Sequence, residues 1–285
     1  RIEPIRITPH VQTNFDEWIE SKQLVLNTGP SGVGISEPVY NFPLLVRLTP
    51  DNFNFSAADA DGADIRFSTS DGLALSYEIE SWNAVSQNAT VWVKIDTIRP
   101  DNEEQHILML WGNELAHSLS DGASVFDTGD GYAGIWHLGD AAGREYCLDA
   151  TAFRNDAVRF SSWDTIIAAE GIIANGRRFG RSFFSYLSAP DASSLRVQSF
   201  TFSTWLYREP HNSANYPTLI SKQNWDDRNG YIFGYVRGED SLSLVSRFLQ
   251  GKDAKSTYVE YTEPAHEEWI HVCATYNGER MRMHR

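Results

Sequence analysis

Several clusters in the sequence carry side chains that could do chemistry. The loop Gln223-Asn224-Trp225-Asp226-Asp227-Arg228-Asn229 sets an indole among carboxylates and amides. An exposed aromatic ring stacks on a sugar face while amides and carboxylates take the hydroxyls. Trp225, Asp226, Asp227 and Asn229, with Tyr216 from the preceding loop, are therefore the candidate ligand-binding residues. The competing reading folds Trp225 back over the edge of its own domain. Asp149, Asn155 and Asp156 gather oxygen donors within one short polar stretch. They would suit a structural calcium ion, the one cofactor the sequence suggests, but the Asx caps of an ordinary turn are the preferred account. Asp59, Asp61 and Asp64 imitate the front of a calcium loop, but Ser70 stands where the closing Glu belongs. An Asp/Gly-rich turn capping a strand is the preferred account there.

Catalytic patterns fare less well. His266 and His271 flank two glutamates in the manner of a zinc protease, but they are five apart and precede a strand. They cannot clamp one metal from a single helical face. Gly29-Pro30-Ser31-Gly32 lacks the spacing of a nucleophile elbow. Glycoside hydrolysis needs two carboxylates roughly 5 to 9.5 Å apart across the scissile bond. On a strand that would read Glu-x-Asp-x-x-Glu, which is not found. Glu78 and Glu80 do share a strand face, in the first half of the chain. No catalytic residue is assigned, and an enzyme is not expected.

The elements that must hold these residues are strands. Ser199 to Leu206 alternates without a break: Phe200, Phe202, Thr204 and Leu206 face one way, and Ser199, Thr201, Ser203 and Trp205 the other. Period two over eight residues is the mark of a half-buried strand. Leu24–Thr28, Leu44–Leu48, Leu75–Trp82, Thr90–Ile95 and Ile107–Trp111 follow the same logic in the first half, with Val91, Val93 and Ile95 on one face. Pro43 should open its strand, because a missing N–H harms a central ladder. The turn-rich stretch Asp121 to Gly131 predicts a domain boundary, giving domains 1–130 and 131–285. Ala133–Leu138 restarts the strand pattern, and Ile166–Ile173 suits a short helix or a strand with a turn. Later come Thr218–Lys222, a hairpin of Tyr231–Arg237 with Ser241–Phe248, and Trp269–Tyr276, which ends at Asn277-Gly278, a type I′ turn signal.

Bulk properties narrow the partners. Net charge is −14 and only five of the 24 basic residues are Lys, so nucleic acid and anionic membrane surfaces are not expected. No apolar run approaches the roughly 18 residues of a membrane span, so no direct membrane insertion is expected within this chain. Aromatics make up 13% of the chain, which favours β architecture or aromatic binding surfaces. The sequence leaves open whether Cys147 and Cys273 pair.

Two resemblances add to this. Asn41–Leu48, Asn52–Ser56, Asp61–Phe67, Tyr77–Trp82, Val91–Lys94 and Trp111-Gly112-Asn113 occur in an order that resembles domain-of-unknown-function family 2341. That resemblance covers about residues 15 to 127 and implies no known activity; it accounts for Glu78 and Glu80 as a recurring structural strand. It implies an exported bacterial protein, in a family sometimes fused to a MotA/TolQ/ExbB-type proton-channel subunit. Ser199–Trp205, Leu219–Lys222, Gly230-Tyr231 and Glu268–Gly278 resemble the laminin-G-like, concanavalin A-like lectin/glucanase sandwich, over about residues 132 to 285. In that family further strands follow, so a longer parent protein is expected, with a membrane-channel segment downstream as one form of it.

The expectation is an all-β chain of two tandem β-sandwich domains, the second a concanavalin A-like jelly roll. The expected function is non-catalytic recognition outside the cytoplasm, at the cell surface or in the periplasm, binding glycan or a cell-surface protein. The alternatives are a structural or sensing ectodomain of an energy-coupling membrane complex, and a glycoside hydrolase.

Overall fold

The computed structural model describes residues 15–140, 145–160, 166–180, 185–209, 218–224, 229–237, 242–250, 257–262 and 267–284. It is all-β, and every ladder is antiparallel. Two compact units divide at Arg1–Pro190 and Asp191–Arg285.

The first unit opens with β1 (Glu20–Val25), β2 (Val39–Leu48), β3 (Arg66–Thr69), β4 (Tyr77–Asn83), β5 (Asn88–Ile98) and β6 (His106–Trp111). These form two three-stranded sheets, ordered β1-β6-β3 and β2-β5-β4. Both contribute to one core. Phe67, Ile107 and Met109 come from the first sheet, and Val46, Leu48, Tyr77, Val91, Val93 and Ile95 from the second. Val91, Val93 and Ile95 are on a shared buried face, as their spacing predicts. The Asp59–Asp64 stretch is a turn. The buried Asp64 carboxylate accepts from the N–H groups of Asp59 and Gly112, and Asp61 accepts from Ala63 N–H.

Pro43 lies within β2 rather than at its start, paired with Lys94. The strand tolerates it because β2 is the edge of its sheet, where a missing N–H can face the unpaired side. Asn41 takes a positive φ of 51° and drops out of the β2–β5 register.

Small elements complete the unit: a one-turn helix α1 (Gly122–Val125), β7 (Tyr146–Cys147), β8 (Ala157–Arg159), β9 (Ile167–Glu170), β10 (Asn175–Arg178) and β11 (Leu187–Ser188). The sheets are β11-β8-β7 and the hairpin β10-β9, so Ile166–Ile173 is a strand with a turn. Ala133–Leu138 differs from its predicted strand: it joins no ladder, and Leu138 takes a positive φ of 64°. It lies over the outer face of β4 and β5, where Val125, Phe126 and Ala150 form a second small core with Trp92, Tyr132 and Ile135. Division by packing therefore falls well beyond 130/131, because the residues after the turn-rich stretch bury apolar surface on the sheet before it.

The second unit contains β12 (Phe200–Tyr207), β13 (Thr218–Asn224), β14 (Asn229–Arg237), β15 (Leu242–Gln250), β16 (Thr257–Thr262), β17 (Trp269–Tyr276) and β18 (Met281–His284). One sheet is ordered β12-β17-β18 and the other β13-β14-β15-β16. Phe202 and Leu206 of β12, and Ile270, Val272 and Ala274 of β17, pack on Phe233 and Tyr235 of β14. Tyr231, Phe248, Tyr276 and Met281 extend this core with Phe200. This is face-to-face packing of two antiparallel sheets. The Asn277-Gly278 turn is not type I′: only Gly278 has positive φ, and Tyr276 pairs with Met281 across a four-residue loop. The Asn277 side chain holds that loop by accepting from Glu279 N–H and Arg280 N–H.

Candidate functional site

The outer face of the sheet β12-β17-β18 carries a cluster of exposed rings. Alternation along β12 sends Ser203, Trp205 and Tyr207 outward; alternation along β17 sends out Trp269 and His271. The antiparallel register sets Trp205 directly opposite His271 and Tyr207 opposite Trp269. Ring centroids lie 5.1 Å apart in the first pair and 5.7 Å in the second. Trp205 is 41% exposed, Tyr207 44% and Trp269 37%. Directly opposed residues on a strand pair touch, and pairs two residues on repeat after about 6.8 Å. The result is a two-pair aromatic platform, with Ser203 Oγ 2.8 Å from His271 Nε2 at one end. Chemically, such a platform offers stacking surface bordered by hydroxyl and imidazole hydrogen-bonding groups.

The phase of each strand was readable in the sequence, and Trp205 falls on the outward side of its alternation. The register that joins β12 to β17 was not, so the rings could not be brought together from sequence. Of the predicted ligand residues, Tyr216, Trp225, Asp226 and Asp227 lie outside the described residues. Asn229 is exposed at the start of β14, with Asn224 and Gln250 as its ladder neighbours.

Asp149, Asn155 and Asp156 do come together, in the first unit. Asp149 is fully buried. Its Oδ1 accepts from Ile135 N–H and Thr151 N–H, and its Oδ2 from Thr151 Oγ1–H and Asn155 N–H. Asp156 accepts from Asp149 N–H, and the Asn155 amide donates to Ala133 O. Trp136 Nε1–H donates to Asn155 O beside them. The carboxylate is thus surrounded by N–H and O–H donors, which a cation would have to displace. Among the described residues no group of three or more His, Cys, Asp or Glu side chains is arranged to hold a metal ion.

A second polar cluster sits on the outer face of β4. Glu78 and Glu80 both point at His137. Glu78 Oε2 is 2.9 Å from Nε2, and Glu80 Oε2 is 3.6 Å from Nδ1. Glu80 also accepts from Trp92 Nε1–H at 2.7 Å, and the Trp92 ring stacks on the imidazole. Burial alone would lower the His137 pKa, but the hydrogen bond to Glu78 and the charges of Glu78, Glu80 and Asp140 outweigh it, leaving it raised. Burial raises Glu80 despite the opposing effect of His137 and Trp92. The one same-face carboxylate pair in the strands of this sheet is therefore engaged with a histidine. Sequence spacing showed the pair; nothing in it pointed to a partner so far along the chain.

Neither cysteine is paired; Cys147 is buried and Cys273 is partly so. No helix among the described residues is long and apolar enough to cross a membrane.

Comparison with known families divides along these lines. Residues 61–138 match the family model described as Domain of unknown function (DUF2341). Residues 181–285 match the laminin-G-type model described as Concanavalin A-like lectin/glucanases superfamily. No curated protein and no solved structure matches the chain. Glu78, Glu80, Trp92 and His137 fall in the first matched segment, and the aromatic platform falls in the second. The chain is thus similar to the family of unknown function 2341 over residues 61–138 and to the concanavalin A-like lectin/glucanase superfamily over residues 181–285, in that order and in an all-β fold.

Proposed function

We propose that this chain is a non-catalytic recognition module that binds glycan outside the cytoplasm, through the outer face of β12 and β17. The observation that carries this reading is the pairing of exposed rings, Trp205 with His271 and Tyr207 with Trp269, on a rigid antiparallel ladder. Rings fixed on a sheet lose little conformational freedom on binding, and their flat faces suit the C–H faces of a sugar. The concanavalin A-like match over the same strands supports the ligand class. A net charge of −14 favours neutral over polyanionic glycans.

A glycan array followed by calorimetry on any positive tests this. Trp205→Ala and Trp269→Ala should each weaken binding about tenfold, which corresponds to about 1.4 kcal/mol and suits the loss of one stacking contact. Both side chains are partly exposed and neither belongs to a core cluster, so each variant should lose no more than about 2 kcal/mol of unfolding free energy and stay folded for the assay. Binding untouched by both substitutions but abolished by Trp225→Ala would move the site to the loop after β13. Silence across the array would remove glycan as the ligand and leave a protein partner to be sought.

A further inference from the structure

We propose that His137 is a proton-operated clasp: bound between Glu78 and Glu80, its charged form tightens the segment 131–138 onto the β4–β5 face, and its neutral form loosens it. Both ring nitrogens face carboxylate oxygens, at 2.9 and 3.6 Å. An imidazolium donates from Nε2 to Glu78 and turns a second N–H towards Glu80 as a charge contact, whereas a neutral ring has one N–H and turns a lone pair towards the other carboxylate.

The surroundings leave few other partners for this role. On β4, Glu78 and Glu80 supply two negative charges. On the histidine's own segment, Asp140 adds a third. Lys94 on β5 is committed to Asp127 and Asp130. Arg177 on β10 donates to the carbonyls of Leu138 and Asp140. Arg47 on β2 donates to Ile172 O and acts on Glu80 at a distance. The remaining neighbours, Trp92 and Phe126, are neutral rings.

The segment has no ladder hydrogen bonds of its own. It is anchored at Ala133, Ile135 and Trp136 by hydrogen bonds with Asp149, Ala150 and Asn155, at Leu138 by Arg177, and through Ile135 and Tyr132 in the small core; the ion cluster is the attachment at His137 that changes with the proton. Removing the proton leaves the like charges of Glu78, Glu80 and Asp140 around a neutral ring with no positive charge between them. A group whose pKa is raised on folding stabilises fully below its unfolded value and loses that contribution as pH rises through its folded value. His137 and Glu80 are both raised, so they act in the same direction. Alkaline conditions should loosen the segment, and mild acid should tighten it.

The test is amide hydrogen exchange of Gly134–Leu138 against pH, corrected for intrinsic rates, beside an NMR titration of the His137 ring. Protection should fall about tenfold across the ring's titration, with the two midpoints coinciding. His137→Gln should make protection independent of pH over that range, and Glu78→Gln should lower the ring's midpoint. Flat protection in the wild type, or an unchanged pH profile in His137→Gln, would overturn the proposal. Should His137→Gln fail to fold, midpoints in the wild type that do not coincide would overturn it equally.

Discussion

Replacement of Asp149 tests whether its carboxylate is a structural hub or a cation ligand. Asp149→Asn keeps the shape but turns one oxygen into an N–H2 group. Whichever way the amide turns, two of the four donors from Ile135, Thr151 and Asn155 then face another donor. A buried polar group left without a partner costs about 1–3 kcal/mol. With partial relaxation, and with the hydroxyl of Thr151 free to rotate, the loss should be about 3 kcal/mol; Asp149→Ala should lose about 4. Against a typical domain stability of about 5–15 kcal/mol this is a large fraction. With a urea m-value of ~2 kcal/mol/M, Asp149→Asn should move the midpoint of the first unit's transition down by about 1.5 M. Trp136, whose Nε1–H donates to Asn155 O, places an intrinsic fluorophore at the hub. The same titration with calcium and with a chelator completes the assay. A shift under about 0.3 M in Asp149→Asn would refute the hub reasoning. So would a wild-type midpoint that drops when calcium is removed, because the oxygens would then be serving a cation.

Other outcomes follow from single positions. Gly62→Ala should cost about 3 kcal/mol by chemical denaturation, because Gly62 has φ +72° and an added Cβ would meet the Trp82 ring at 2.6 Å. Val93→Ala should cost about 2 kcal/mol, since Val93 is fully buried between the sheets of the first unit and its deletion leaves a cavity. Burial and the neighbouring Asp140 push the Cys147 thiol up to about 12, so it should resist a thiol-specific disulfide reagent at pH 8 until the protein is unfolded. Reaction of both thiols at equal rates in the native protein would contradict that assignment.

How much of this was legible in the sequence varied with the kind of contact. Alternation along β5 and β12 placed Val91, Val93, Ile95, Phe200, Phe202 and Leu206 inward, and each of them packs in a core. Periodicity reports which way a side chain leaves its own strand, and there it served well. It did not report what covers the other side. Ala133–Leu138 has a strand-like composition, but its backbone goes to no ladder: Ile135 N–H donates to the Asp149 carboxylate, and the carbonyls of Ala133 and Ile135 accept from the Asn155 amide and Ala150 N–H. The Asn277-Gly278 pair signalled a turn correctly but not its type, since the Asn side chain caps two N–H groups of a longer loop. Trp205 and Trp269 each lay on an outward phase, yet only the register of β12 with β17 makes them neighbours of Tyr207 and His271. Pairing between distant segments is a tertiary property, and local spacing carries little of it.

The interruption of β2 by Pro43 and by the left-handed Asn41 also bears on the protein's behaviour in crowded solution. An outermost strand of ten residues is a template onto which a foreign chain could add. A proline removes one of the donors such a guest would need, and the kink at Asn41 breaks the flat row of those that remain. The chain thereby carries, within its own backbone, a deterrent to self-association that no side-chain charge has to provide.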